Sequence, residues 1–311
     1  VLAMLLSATM MSSAHALTVY TAGPGSLAKS LASGYEKKTG VKVNIFQATT
    51  GKVMARLDAE QANPQADVLI SASWDTAEDL HQRGWLLPYQ SANADKVPAN
   101  LKSADYVAQG ISALGIVWNS KSGTPEPKEW RDLTEAAFKD KVTTPDPALS
   151  GASLDLLIGL QNGMGDKAWA LFDDLKKNGM VVSGPNAQAV TPVMQGAKAA
   201  VFGAVDYVSY GNIDQGESLK VIFPASGTVI APRPMMILKT TAHADDAKAF
   251  VDYVLSPEGQ ALVAGAWLMP ARSDIPAKRP LLNELKILPT TGDGSSERSA
   301  VLSRFNTLFA Q

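Results

Sequence analysis

"LTVYTAGPGSLAKSLASGYEKKTGVKVNIF", residues 17 to 46, decides the fold. It opens on a short β-branched and aromatic run that ends in glycine. Leu27, Leu31 and Tyr35 then recur at helical spacing, and Val41, Val43 and Ile45 alternate with Lys42 and Asn44. Strand, helix and strand at this spacing form a βαβ unit. The pattern repeats downstream: "TTGKVMARLDAEQANP" (49 to 64) reads as a helix stopped by Asn63-Pro64, "ADVLI" (66 to 70) as a buried strand, and "SWDTAEDLHQRG" (73 to 84) as a helix stopped by Gly84. Such alternation predicts mostly parallel sheet covered by helices on both faces.

A second α/β region starts near "EWRDL" at 129 and holds "DKAWALFDDLKKNG", "MVVSG" and the apolar run "AAVFGAV". Two extended stretches, 111 to 119 and 228 to 239, flank it. They are expected to be the crossings between two lobes, which makes a two-strand hinge. Lobe one is then 17–113 with 229–275, and lobe two is 114–228 with 276–311. "DDAKAFVDYVLSPEGQALVAGA" reads as a helix pair broken at Ser256-Pro257.

Composition narrows the function. The chain of 311 residues is 46% hydrophobic and 19% charged, enough for two packed cores. Lys plus Arg is 28 against 30 Asp plus Glu, so no basic field holds nucleic acid or an anionic membrane by bulk charge. The absence of cysteine excludes disulfides, thiolate metal sites, a cysteine nucleophile and a lipidated N-terminal cysteine. Residues 1 to 16, "VLAMLLSATMMSSAHA", read as the apolar part of an export signal with an A-x-A cleavage pattern at Ala14, His15 and Ala16. That run is shorter than the roughly 20 residues a membrane span needs.

In doubly wound sheets ligands sit beyond the carboxyl ends of the strands. The loops there are small and hydroxylated. Ser150, Gly151, Ala152 and Ser153 combine an N-cap hydroxyl, a glycine that admits close backbone approach, and the positive end of a helix dipole. Such an end receives phosphate or carboxylate, although ordinary capping uses the same residues. Thr49, Thr50 and Gly51 repeat the chemistry at another helix start, and so does Ser73. Ser26 lies in the first loop, "GPGS". Gly51-Lys52 lacks the earlier glycine of a phosphate-binding P-loop, and "GPG" lacks the third glycine of a dinucleotide fingerprint. "SLAK" at 26 to 29 with "KTG" at 38 to 40 imitates a penicillin-binding site, but "KTG" ends the same helix and no Ser-Asp-Asn intervenes. Asp206 and Tyr207 follow "AAVFGA" directly and are expected to project into the cleft, Asp206 as an acceptor for hydroxyl or ammonium protons.

At these loops the chain resembles the bacterial periplasmic solute-binding proteins of the cluster that takes up ferric ion, phosphonates and hexose phosphates, a type II periplasmic-binding-protein group. The motifs are "LTVYTAG", "NPQADVLISAS", "PALSGASLDLL", "GPNAQAV", "VLSPEGQ" and "MPARSDI", in order along the mature chain. The resemblance implies a phosphate cradle at Ser150, Gly151 and Ala152, with Asn186 as a further anion contact. Ferric-binding relatives carry a histidine where this chain has "GPGS", a glutamate at Ala72, and paired tyrosines at Asp206-Tyr207. The anion half of the site is kept and most of the metal half is not. The resemblance therefore implies a monomeric, non-enzymatic periplasmic receptor without cofactor. It would capture a small anionic solute for an inner-membrane ABC permease, without binding nucleic acid or inserting into the membrane. Hexose phosphate is the first expectation and an aminophosphonate the next. A ferric-ion receptor using a synergistic phosphate is the alternative, and an exported phosphate-ester hydrolase the alternative of a different class.

Overall fold

The computed structural model describes residues 15–290 and 295–310. The expected signal at 1–16 lies almost wholly outside the described residues.

The opening stretch forms β1 (Ala16–Thr21), α1 (Gly25–Thr39) and β2 (Lys42–Gln47), with β1 and β2 parallel from Ala16 opposite Lys42 to Thr21 opposite Gln47. Strand alternation sends Leu17 and Val19 to one face and Tyr20 to the other. The first face is covered by α1, through Leu27, Leu31 and Tyr35. Gly34 is required there, because a β-carbon at this position would lie 1.9 Å from the Tyr253 hydroxyl. The second face is covered by α2 (Thr50–Ala59), which leads to β3 (Val68–Ile70) and α3 (Trp74–Gln82), through Val53, Leu57, Ala77 and Leu80.

The next strand, β4 (Tyr106–Asn119), is long enough to serve two sheets. Its first half contributes Ala108, Ile111 and Ala113 to the first core, and its second half contributes Leu114, Ile116 and Trp118 to another. Around that second core the chain forms β5 (Val142–Thr144), α4 (Gly151–Met164), α5 (Asp166–Lys177), β6 (Val181–Val182), α6 (Asn186–Met194), β7 (Ala200–Val205), α7 (Asp206–Asp214) and β8 (Leu219–Ile222), with α6 packed in a separate cluster with Val117, Val201 and Leu219. All six residues of β7 are buried because the strand lies between β4 and β5 with helices on both faces. The chain returns through β9 (Ile230–Ile237), then α8 (Ala244–Val254), α9 (Pro257–Gly265) and β10 (Met269–Pro270), and ends in α10 (Ser295–Phe309).

Two-lobed architecture, helix-covered sheets and the broken helix pair at Ser256-Pro257 agree with the sequence reading. The sheets themselves are mixed. β1 pairs in parallel with β2 and β3, and β5 with β6 and β7, while each antiparallel pairing between these strands involves β4 or β9. The reason is topological. A strand that leaves one lobe and a strand that returns run in opposite directions through the same seam. Leu281, Leu282 and Leu285 pack against the first core, and past the bridge between Thr228 and Ile287 α10 docks on the second through Val301 and Phe305.

Candidate functional site

Six parallel strands, β1 to β3 and β5 to β7, end in turns that start helices, so the loops singled out in the sequence lie at the carboxyl ends of both sheets. In the second lobe the Ser150 hydroxyl caps α4, accepting from Ser153 N at 3.2 Å, and also accepts from Asn186 Nδ2 at 3.0 Å. The Ser153 hydroxyl donates to Pro145 O, which leaves its side chain structural. The N–H groups of Gly151 and Ala152 have no acceptor among the described residues, as expected for a first helical turn. Gly151 is exposed and a β-carbon there would meet nothing within 4 Å.

Ser150 and Asn186 therefore act as a pair. Asn186 Oδ1 is buried without a partner. The amide can turn end for end, and in either orientation one proton-bearing group of the pair, the Ser150 hydroxyl or the Asn186 NH2, lacks an acceptor in the protein. With two free backbone N–H groups beside it, the corner is rich in donors.

In the first lobe Thr49 caps α2 through Lys52 N at 3.3 Å, and Thr50 Oγ1 accepts from Ala72 N at 3.3 Å, tying two loops together. Ser73 occupies the position before α3 but its side chain caps nothing. Its own N–H is held by Ser71 Oγ at 3.0 Å. Gly51 and Ser26 are exposed, Ser26 inside the first turn of α1.

Asp206 departs from the expectation of a free acceptor. Its side chain is fully buried and pairs with Arg279 Nη2 at 2.6 Å, while Oδ2 also accepts from Ala113 N at 3.0 Å. Burial pushes its carboxyl upward and the Arg279 charge opposes that shift. The reason sequence could not show this is distance: Arg279 lies beyond β10 in a stretch of turns and bends without helix or strand. Tyr207 keeps its place at the seam, its hydroxyl accepting from Arg233 Nη2 at 3.0 Å while Arg233 Nη1 donates to Gly23 O at 3.0 Å. Arg233 thereby joins the first loop of one lobe to α7 of the other.

A cavity of about 580 Å³ opens between the lobes, walled by Ala72, Trp74 and Asp75 on one side, Asp155 and Arg298 on the other, and Ile230 to Pro232 on its floor. None of the predicted site residues is among those that line it. Arg298 bridges the walls, with Nε 3.1 Å from Asp75 and Nη1 2.5 Å from Asp155. Burial pushes the Asp155 carboxyl up to about 6, against the pull of Arg298.

Three arginines thus escaped the sequence reading. Arg233 left one trace, a charge inside the apolar strand "APRPMMI". Arg279 and Arg298 sit in stretches whose pattern distinguishes them from no other surface arginine. Among the described residues no group of three or more His, Cys, Asp or Glu side chains converges as a metal site.

The sequence profile described as bacterial extracellular solute-binding protein matches residues 63–292. A putative 2-aminoethylphosphonate-binding periplasmic protein of Salmonella typhimurium is 26% identical over 254 residues, covering 78% of this chain and 73% of that one. The periplasmic binding protein AfuA of Actinobacillus pleuropneumoniae, with exogenous fructose-6-phosphate bound, superposes with a TM-score of 0.80 at 24% identity, covering 94% of this chain and 97% of the other. Iron-bound HitA of Pseudomonas aeruginosa superposes with a TM-score of 0.80 at 20% identity, covering 94% and 99%. Such likeness carries the fold, and the two solved structures hold chemically different cargo.

Proposed function

The chain belongs to the bacterial extracellular solute-binding protein family, and from that premise we propose that it captures a small phosphorylated or phosphonylated organic solute between its lobes and delivers it to an ABC permease. Families of this kind bind and do not transform their solutes, which removes the need for a catalytic base. The periplasm is the compartment of the named phosphonate-binding relative, and it fits the expected export signal here.

One observation carries the reading. The start of α4 presents two backbone N–H groups and one member of the Ser150–Asn186 pair with no acceptor in the protein. Donors without acceptors at a helix N-terminus suit an oxyanion. Ferric ion is a poorer fit, because Asp206 is neutralised by Arg279 and the Tyr207 oxygen faces the Arg233 guanidinium. A metal ligand set would place a cation against a cation.

Capture follows from the seam. β4 and β9 join the lobes, and a solute touching both Ser150 and the first-lobe loops favours the closed arrangement by its differential affinity. Hexose phosphate is the favoured cargo and a phosphonate the next. Melting curves with fructose 6-phosphate, 2-aminoethylphosphonate, inorganic phosphate and ferric phosphate test this. An organophosphorus solute should raise the melting temperature most, and a shift with ferric phosphate alone would overturn the reading.

A further inference from the structure

Arg233 is 5% exposed, set in β9 between Pro232 and Pro234 and opposite Gly110 of β4. Both of its hydrogen bonds go to neutral oxygens, the carbonyl of Gly23 and the hydroxyl of Tyr207. Its Nε is buried without a partner, and no ion pair of the described residues includes it. A guanidinium does not shed its proton to escape burial. Buried charges are ordinarily paired, and a counter-charge is the partner this one lacks within the described residues.

The neighbouring turn offers donors of the same sign. Gly23, whose carbonyl Arg233 holds, stands two residues before α1, and Ala28 is the first residue of that helix to donate, to Pro24 O. The N–H groups of Gly25, Ser26 and Leu27 find no acceptor among the described residues. Gly25 packs against the Gln47 amide so closely that a β-carbon would lie 2.1 Å from Oε1.

We infer that Arg233 and the first turn of α1 form an oxyanion subsite in the first lobe, complementary to the donor corner at α4 in the second. This rests on the proposed capture of an anionic solute and adds where that anion is held. The oxyanion comes from one of two sources. It is the phosphoryl or phosphonyl group itself, gripped from both lobes, or a carboxylate at the solute's other end. Tyr207, which steadies Nη2 from the second lobe, couples the subsite to closure.

Glycerol 3-phosphate and 3-phosphoglycerate differ by a carboxylate and separate the sources. Calorimetric titration of both, with fructose 6-phosphate and 2-aminoethylphosphonate, should be run on the wild type, Arg233→Gln and Arg233→Lys. Removal of a charged donor is expected to weaken binding by about tenfold or more in Arg233→Gln, with partial recovery in Arg233→Lys. Equal losses for every probe identify the phosphoryl group, and a loss confined to 3-phosphoglycerate identifies the carboxylate. Unchanged affinity of Arg233→Gln for a probe the wild type binds overturns the subsite and leaves the proposed function standing. A wild type that binds no probe overturns both. If neither variant melts cooperatively, the guanidinium is satisfied by the scaffold and the subsite is wrong.

Discussion

Asp206 and Arg279 form an ion pair with both side chains at 0% exposure and 2.6 Å between Oδ2 and Nη2. The partners come from opposite sides of the molecule's seam. Asp206 begins α7 of the second lobe, and Arg279 follows β10 and donates to Trp267 O at 3.0 Å. Breaking such a pair leaves an uncompensated buried charge. Asp206→Ala or Arg279→Ala should each cost about 3–5 kcal/mol in denaturant unfolding, and replacing both with apolar residues of similar volume should cost far less. Additive losses in the double replacement would show that the two side chains do not act on each other.

Gly151 offers a cleaner probe of the donor corner than its neighbours. A β-carbon there meets nothing within 4 Å, so Gly151→Val should keep the melting temperature within a few degrees. The branched side chain would nonetheless stand over the free N–H groups of Gly151 and Ala152. Solute affinity should fall by about tenfold or more, since each obstructed hydrogen bond to a charged group is worth 1.5–3 kcal/mol or so. Full affinity in this variant would remove α4 from the site.

Ser150→Ala deletes the cap of α4 and the hydroxyl that Asn186 touches. A loss of about 1 kcal/mol in stability is expected from the cap alone. Asn186→Ala leaves the cap in place, so its stability should change less. Both should weaken organophosphate binding in calorimetry. A variant pair that loses stability but no affinity would mark the corner as capping and nothing more.

Asp155 ties stability to pH. Its carboxyl, pushed to about 6 from the usual 3.8, holds in the folded state a proton that the unfolded chain releases. That contribution is fully present below the unfolded value and is lost as pH rises from about 4 through about 6, by at most about 3 kcal/mol. Relative to Asp155→Asn, the wild type should therefore lose stability across this window. A wild-type advantage that grows with pH would reverse the assignment and make the Arg298 attraction dominant.

What was legible in the sequence was what is local. Leu27, Leu31 and Tyr35 declared a helix face because helix period is written in consecutive residues, and Thr49 and Ser150 declared caps because a cap reaches only three residues forward. The same logic erred at Ser73, whose side chain caps nothing, while its own N–H donates to Ser71 Oγ. Long-range charge pairing left no such record. Arg298 meets Asp155 across 143 residues, and Asp206, read as an open acceptor, is closed by Arg279. The mixed sheets followed from a seam whose strand directions depend on where the chain returns.

We propose that this seam receives a phosphorus oxyanion on an organic solute, not a ferric ion. Protein incubated with ferric phosphate, dialysed against citrate and then titrated calorimetrically with fructose 6-phosphate and 2-aminoethylphosphonate tests it most directly. Iron should be lost to citrate, and one of the organophosphorus solutes should bind once per chain. Stoichiometric iron retained against citrate, with no heat from either solute, would contradict it.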